Sequence, residues 1–432
     1  MRRAALSAIL ISALVLAPAF SAWACTTAVI SGKATVDGRP LLWKNRDYRV
    51  RNNELVYFEK DGHYPCLGLV NAKSRSSIWM GVNSVGLCIE NSVTNDLDHP
   101  TNVKGLGNGG FMLRALQTCA TVEDVEELLK QTNQTGRSTC ANFGVIDAQG
   151  GAVIFETSRN NYRKFDANDP KIAPLGFVVR SNFSITGKNL PDHPTEEDLK
   201  AIYSADRYLR ANSLLTRERK SKLSMKYLLR NLSRDLSCEG EECPGSVNSP
   251  SGTLPDFVET ANTISRTTTV SYAVFQGVKK GENPLLTTMW LGLGDPKFSV
   301  SIPCWVATGM VSEELQGETG GALGAKAIAL RDSYFDEDRN GVRTEGLPEI
   351  WSRIWSFEDQ TIKNVERQLA IWRKNGINTE SMKAIHVSTS EQALALMNDL
   401  VKQHVPASVT ASSVSSNSGA QGETATTASE SN

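Results

Sequence analysis

The stretch that most constrains this chain runs from Met1 to Cys25. Met1-Arg2-Arg3 leads into an apolar run from Ala4 through Phe20, and Ser21-Ala22-Trp23-Ala24 stands before Cys25. A basic head, a brief apolar run and an Ala-x-Ala site form the pattern of a secretory signal peptide. The run is too short and too sharply ended for a membrane span of about 20 residues. Cleavage after Ala24 makes Cys25 the first residue of the mature chain. Thr26–Ser31, which follows at once, is rich in β-branched residues. The mature protein is therefore expected to begin inside a strand, and a strand needs partners.

A rival reading makes Cys25 the lipid-attachment residue of an anchored binding protein. Such sites carry Leu three positions ahead with small residues between, whereas Ala22, Trp23 and Ala24 stand here. Charge excludes another class. With 46 Lys and Arg against 47 Asp and Glu, the formal charge of −1 gives no basic excess for nucleic-acid binding. Val405–Asn432 is Ser-, Thr- and Ala-rich with two Glu and no Lys, Arg or aromatic residue. It is expected to be a disordered tail, too polar to offset its ordering entropy.

Strand-like segments come first: Thr26–Ser31, Leu41–Asn45, Leu55–Phe58, Ser77–Gly81 and Leu87–Val93. Val36-Asp37-Gly38-Arg39-Pro40 reads as a turn that makes the first two an antiparallel hairpin. Helices are expected over Phe111–Cys119 and from Thr121, whose Thr-x-x-Asp start resembles a capping box. Strands return at Ala141–Ile146, Ala152–Glu156 and Phe177–Arg180, then helices at Ala205–Leu215 and Ser224–Leu232. Strands at Thr269–Phe275 and Leu286–Leu291 follow. This order argues for a layered α+β protein on antiparallel sheets. Past about Gly320 the pattern becomes helical, with Phe357–Lys374 capped at Ser356 and Asp359 and a second stretch over Glu380–Gln403, softer at Val387–Ser390.

A terminal cysteine can do what an internal one cannot. Its α-amine, with a pKa near 8, is close enough to neutrality to accept the proton of its own thiol. The nucleophile then carries its own base. Such a site needs an acceptor for the amine, a cation for the thiolate and donors for the oxyanion. Leu41-Leu-Trp-Lys44-Asn-Arg46-Asp47 supplies the first two, since an antiparallel partner of Thr26–Ser31 brings Asp47 back beside Cys25. Lys44 lies an odd number of residues from Asp47 and faces the other way on a regular strand. A strand end or bulge near Asn45 is therefore expected if both serve one site.

These residues resemble the N-terminal-nucleophile (Ntn) hydrolases of linear amides: choloylglycine hydrolases, penicillin V acylases, acyltransferases of the isopenicillin-N type and a related dipeptidase branch. The resemblance is strongest to the carcinine hydrolase type. It rests on Cys25-Thr-Thr-Ala-Val-Ile-Ser-Gly32 and Asp37–Asp47, then on Gly81-Val-Asn83-Ser-Val-Gly86 through Asn91, Asn142–Asp147 to Glu156, Gly176–Asn182 and Ser204-Ala-Asp-Arg207-Tyr-Leu-Arg210, in that order. It implies a four-layer αββα sandwich with antiparallel sheets and a C-terminal helical addition. It implies an exported amide hydrolase or acyltransferase working through a thioester, with the dipeptidase branch as the alternative. Cys25 would be the nucleophile, Asp47 the carboxylate that binds the amine, and Asn182 and Asn91 oxyanion donors. Arg207 would orient Asp47 or the thiolate. Lys44 stands where the family has Arg and loses the planar fork of donors, so Arg46 is a substitute. The implied division is a signal peptide over 1–24, a catalytic domain over 25–320, a helical extension over 321–404 and the tail. A small-molecule amide is the expected partner, with no metal or organic cofactor and with dimers or tetramers in the resembled group.

Three features stand outside this picture. Cys238 and Cys243, in a Glu- and Gly-rich loop, are expected to form a local disulfide after export. Cys66, Cys88, Cys119, Cys140 and Cys304 lie in apolar settings as buried thiols or pairs. Asp336-Glu-Asp338-Arg-Asn340-Gly341 fits the first half of a calcium loop, but Leu347 stands where the closing Glu belongs. A polar turn is the expectation there.

Overall fold

The structure is a computed structural model and describes residues 24–98, 105–191, 194–237 and 254–406. The signal segment, the Cys238/Cys243 pair and the tail beyond residue 406 lie outside the described residues.

Strand β1 (Ala24–Ile30) and strand β2 (Leu41–Asp47) form the expected hairpin. Strands β3 (Asn53–Phe58), β4 (Cys66–Asn71), β5 (Met80–Asn83), β6 (Cys88–Val93), β7 (Ala141–Ile146), β8 (Ala152–Thr157) and β9 (Tyr162–Asp166) make one antiparallel meander in sequence order. Strand β10 (Phe177–Arg180) joins β1, while β12 (Thr269–Gln276), β13 (Thr288–Leu293) and β14 (Ile302–Cys304) extend the sheet beyond β2. The first sheet therefore has six strands in the order β10-β1-β2-β12-β13-β14. A small third sheet joins β11 (Phe257–Glu259) to the hairpin β15 (Phe335–Asp336) and β16 (Gly341–Arg343).

The two large sheets pack face to face over Val29, Leu42, Leu55, Met80, Val82, Ile146, Ile154 and Phe275. Helices α1 (Asn108–Thr118) and α2 (Val122–Thr135) cover the outer face of the meander, where Phe111, Leu116 and Leu129 meet Ile89, Phe143 and Val145. Thr121 caps α2 with the reciprocal bonds of a capping box. After a short helix α3 (Glu196–Lys200), α4 (Ala205–Glu218) and α5 (Met225–Tyr227), which runs into a π-turn, cover the other sheet. Its outward residues Ala28, Ile30, Trp43 and Val274 meet Leu214, Leu228 and Leu229 there. The result is the α+β, four-layer αββα arrangement, with two facing antiparallel sheets between helical layers.

Helices α6 (Ala322–Tyr334), α7 (Leu347–Asn375) and α8 (Thr379–His404) complete the chain. They share core with the six-stranded sheet: Leu330, Ile350, Trp351 and Met397 pack in one cluster with Ala273, Phe275 and Leu291. The helix expected to start near Ser356 begins at Leu347 instead, with Pro348 in its first turn, where the missing amide costs nothing. Helix α8 runs unbroken through Val387–Ser390, where Ser390 Oγ donates to the His386 carbonyl and accepts from Ser312 Oγ.

Strands β4, β9, β11, β14, β15 and β16 are not among the expected ones. All but β4 are short, and Gly68 in β4 and Pro303 in β14 dilute the alternation that marks a strand. The strand expected over Ser77–Gly81 forms over Met80–Asn83, and that expected over Leu286–Leu291 forms over Thr288–Leu293. The half calcium loop is the turn between β15 and β16. Asp336 Oδ1 accepts from the Arg339 amide, and Asn340 Oδ1 accepts from Thr267, so two of the candidate ligands serve protein donors. No group of three or more His, Cys, Asp or Glu is arranged to hold a metal among the described residues. No described helix is long and apolar enough to cross a membrane. Cys66, Cys88, Cys119 and Cys304 are buried thiols rather than disulfide partners.

Candidate active site

β1 and β2 pair residue for residue, with Cys25 opposite Arg46, Thr27 opposite Lys44 and Ala24 opposite Asp47. The bulge expected on this pair is absent; the register instead shifts on the other side of β2, between Thr269 and Ser271 of β12. No bulge is needed because the site uses both faces of the sheet. Strand alternation turns Cys25 and Lys44 inward with Val29 and Leu42, and Asp47 outward with Ala28 and Trp43. The thiol thus meets Lys44 on one face, while the backbone nitrogen at the strand edge can be served from the other.

On the inner face Lys44 is buried and donates to Asn91 Oδ1 at 2.9 Å and to the Trp79 carbonyl at 2.8 Å. Burial lowers its pKa, and the neighbouring Cys25 and Glu90 raise it. Glu90 is wholly buried, seated over Gly144, where a Cβ would lie 2.1 Å from Glu90 Oε1. Burial pushes its carboxyl up to about 7, against the pull of Lys44. Arg46 donates to Asn53 Oδ1 at 2.7 Å and Asn71 Oδ1 at 2.9 Å. Its guanidinium lies 4.6 Å from the Tyr48 ring centroid and 4.7 Å from that of Trp79. The Cys25 thiol is raised by burial, lowered by Lys44 and raised by Asp47, then lowered by the Asp47 backbone amide and Arg46.

The other face gathers the remaining candidates. The Cys25 nitrogen donates to Asn182 Oδ1 at 2.6 Å, and Arg207 Nη2 donates to the same oxygen at 3.0 Å. Asn182 Nδ2 donates to the Val93 carbonyl at 2.8 Å. Arg207 Nη1 binds the Cys25 carbonyl at 2.7 Å and Thr26 Oγ1 at 2.8 Å. Its pKa falls to about 10, through burial first and Arg266 second. Asp47 Oδ1 accepts from Thr269 at 2.6 Å. Asp47 Oδ2 is buried with no hydrogen-bond partner among the described residues, 3.9 Å from both Arg207 and Arg266. Burial raises the Asp47 carboxyl, while Arg266 and then Arg207 pull it down.

Helix α4 delivers Arg207 from an unusual start. Ser204, its N-cap, has φ +72°, a left-handed conformation that costs a non-glycine residue energy. In return, Ser204 Oγ accepts from the Asn182 amide at 3.0 Å and its carbonyl accepts from Ser181.

The structure brings Cys25, Lys44, Asp47, Asn91, Asn182 and Arg207 into one cluster. It places Asn182 on the Cys25 nitrogen and ties Asn91 to Lys44. Glu90 and Arg266 are additions that sequence reasoning missed. A signal for Glu90 existed, a carboxylate following directly on the apolar run Leu87-Cys-Ile. Arg266 had none, because only the fold carries its loop to Asp47.

Residues 34–232 match the family model described as acyl-coenzyme A:6-aminopenicillanic acid acyl-transferase; the match begins after Cys25 and ends before β12. No curated protein matches the chain. Among solved structures it is similar to an N-acylethanolamine-hydrolyzing acid amidase ortholog of Caenorhabditis elegans, at 14% identity and TM-score 0.38 over 58% of this chain and 92% of that one. It is similar to a mutant conjugated bile acid hydrolase of Clostridium perfringens, at 14% identity and TM-score 0.38 over 62% and 89%. Penicillin V acylase of Agrobacterium tumefaciens gives 14% identity and TM-score 0.40 over 68% and 89%. The family match spans the motifs from the first hairpin turn to helix α4, and together with the two antiparallel sheets layered between helices it supports an enzyme of the amide hydrolase and acyltransferase class.

Proposed function

We propose that this enzyme is exported, that removal of residues 1–24 frees Cys25, and that its thiolate cleaves a linear amide through a thioester. The observation that carries the reading is the two-sided environment of Cys25. A buried ammonium serves the thiol face, and Asp47, with an unpartnered buried carboxylate oxygen, stands opposite Ala24, whose removal frees the Cys25 amine next to it.

In the proposed reaction the α-amine takes the thiol proton and Sγ attacks the amide carbon. The negative charge that develops on the carbonyl oxygen needs donors, and Asn91 is the side chain on the thiol face assigned to it. Asn182, whose Oδ1 takes the Cys25 nitrogen and whose Nδ2 donates to the Val93 carbonyl, holds the amine instead. Asn91 Oδ1 is engaged by Lys44, which turns the donor end of that amide away from the cation. The α-ammonium then returns its proton to the leaving amine, the C–N bond breaks, and the thioester remains. Water resolves it to a carboxylic acid, or an acceptor amine to a new amide. Lys44 and Arg46 favour the thiolate against the cost of its burial.

A panel of N-acyl amino acids, bile-salt amides, penicillins, β-alanyl amines and dipeptides, with mass analysis of the mature protein, tests the reading. Expected are a chain starting at unmodified Cys25, turnover of at least one amide, and loss of that turnover in Cys25→Ala. A diacylglyceryl group on Cys25, or full turnover by folded Cys25→Ala, overturns it.

A further inference from the structure

Asp47 stands opposite Ala24, next to Cys25, and two guanidiniums face it. Arg207 and Arg266 each stand 3.9 Å from Oδ2, and Lys297 adds a third positive charge at longer range. Lys297 is balanced by its own partner, Asp295, at 2.9 Å. Arg207 is committed to the Cys25 carbonyl, Thr26 and Asn182, with Tyr203 its other ionisable neighbour. Arg266 has no such engagement to explain its place: its Nε is buried without a hydrogen-bond partner among the described residues.

Its loop is held from outside. Arg331 of α6 donates to the Thr267 carbonyl through Nε at 3.2 Å and Nη2 at 3.0 Å. Asn340, in the β15–β16 turn, accepts from Thr267 Oγ1 at 3.2 Å. Tyr48, next to Asp47, donates from its amide to the Thr268 carbonyl at 2.9 Å. The C-terminal extension and β2 thus grip the residues on either side of Arg266.

We infer that Arg266 is a positioning residue that keeps Asp47 ionised and the freed Cys25 amine uncharged, and that the C-terminal extension locks it in place. An α-ammonium placed against one carboxylate and two guanidiniums meets an excess of positive charge, so the neutral amine is favoured. The amine is then ready as a base at lower pH than its ordinary value near 8. This rests on the reading of Cys25 as a terminal nucleophile, and the family match, which ends at residue 232, does not reach Arg266.

The test is the pH profile of kcat/KM on the best amide substrate. Activity rises as the amine loses its proton and Asp47 ionises, so removing Arg266 moves the acid limb upward. Arg266→Gln is expected to move that limb by about one pH unit, with about a tenfold loss below it and an unchanged plateau and KM. Arg266→Lys restores the limb. Arg331→Gln, which reaches the same loop from the surface, shifts it the same way by less, and decides the matter should Arg266→Gln not fold. A superimposable profile in Arg266→Gln, or equal losses at every pH in the Gln and Lys variants, overturns the inference. A mature chain that does not start at Cys25, or turnover retained in Cys25→Ala, overturns the underlying reading instead.

Discussion

Cys25 meets two sets of partners because its thiol and its nitrogen leave the strand on different faces. The odd spacing of Lys44 and Asp47 gives one residue to each face, so regular pairing serves the chemistry without distortion. Glu90 adds a second titration on the inner face. Its carboxyl, normally near 4.5, is held at about 7, so the fold favours the protonated form. Stability from this group is complete below about 4.5 and is lost as pH rises through 7, by about 3 kcal/mol. Glu90→Gln, which cannot ionise, should therefore raise Tm at pH 8 and leave it little changed at pH 4. Ionised Glu90 also competes with the thiolate for the charge of Lys44. Alkylation of Cys25 by iodoacetamide should run faster in Glu90→Gln than in the parent at pH 8, and equally at pH 5.5. Equal rates at both pH values would remove Glu90 from the site's electrostatics.

At the scale of elements, most of what surrounds Cys25 was legible in the sequence. The hairpin followed from a Gly-containing turn between apolar runs, and the α2 start from its capping box. The Gly81–Gly86 turn closes as a hairpin in which Asn83 Oδ1 accepts from the Val85 and Leu87 amides. What escaped was set by long-range contacts. Strand β4 exists because β3 and β5 flank it, and α7 starts early because Trp351 and Ile354 have a core to enter. The same helix carries Glu358, which takes Arg234 Nη1 at 2.8 Å, Arg234 Nη2 at 2.7 Å and the Ser301 amide at 3.0 Å. Arg234 also reaches Tyr272 in β12 and the Pro296 carbonyl. Glu358→Ala leaves that guanidinium buried without its counterion, and such losses cost about 3–5 kcal/mol. Urea denaturation should show a midpoint well below the parent's; a change under about 0.5 kcal/mol, typical of surface substitutions, would contradict this.

For the molecule as a whole, the helical extension is part of the core rather than an ornament. Leu330, Ile350, Trp351, Met397 and Leu400 are buried in the cluster that fills the space beside β12 and β13. A chain ending at residue 320 uncovers that face and should be insoluble or lack a cooperative thermal transition. A soluble, cooperatively folding form of residues 25–320 would show that the sandwich stands alone. Sequence patterning announced these helices but not their contacts with the sandwich, which include the Arg331 bonds to the loop residue Thr267 and the Glu358 pair with Arg234.

The thioester on Cys25 is a covalent species and can be caught and weighed. The mature enzyme is mixed with a turned-over N-acyl amide, quenched in acid and digested, and its first peptide is weighed. The expected result is a peptide that begins at Cys25 and carries the acyl group on sulfur, lost on brief treatment with hydroxylamine. A peptide that begins upstream of Cys25, or one that stays unacylated while substrate is consumed, would contradict it.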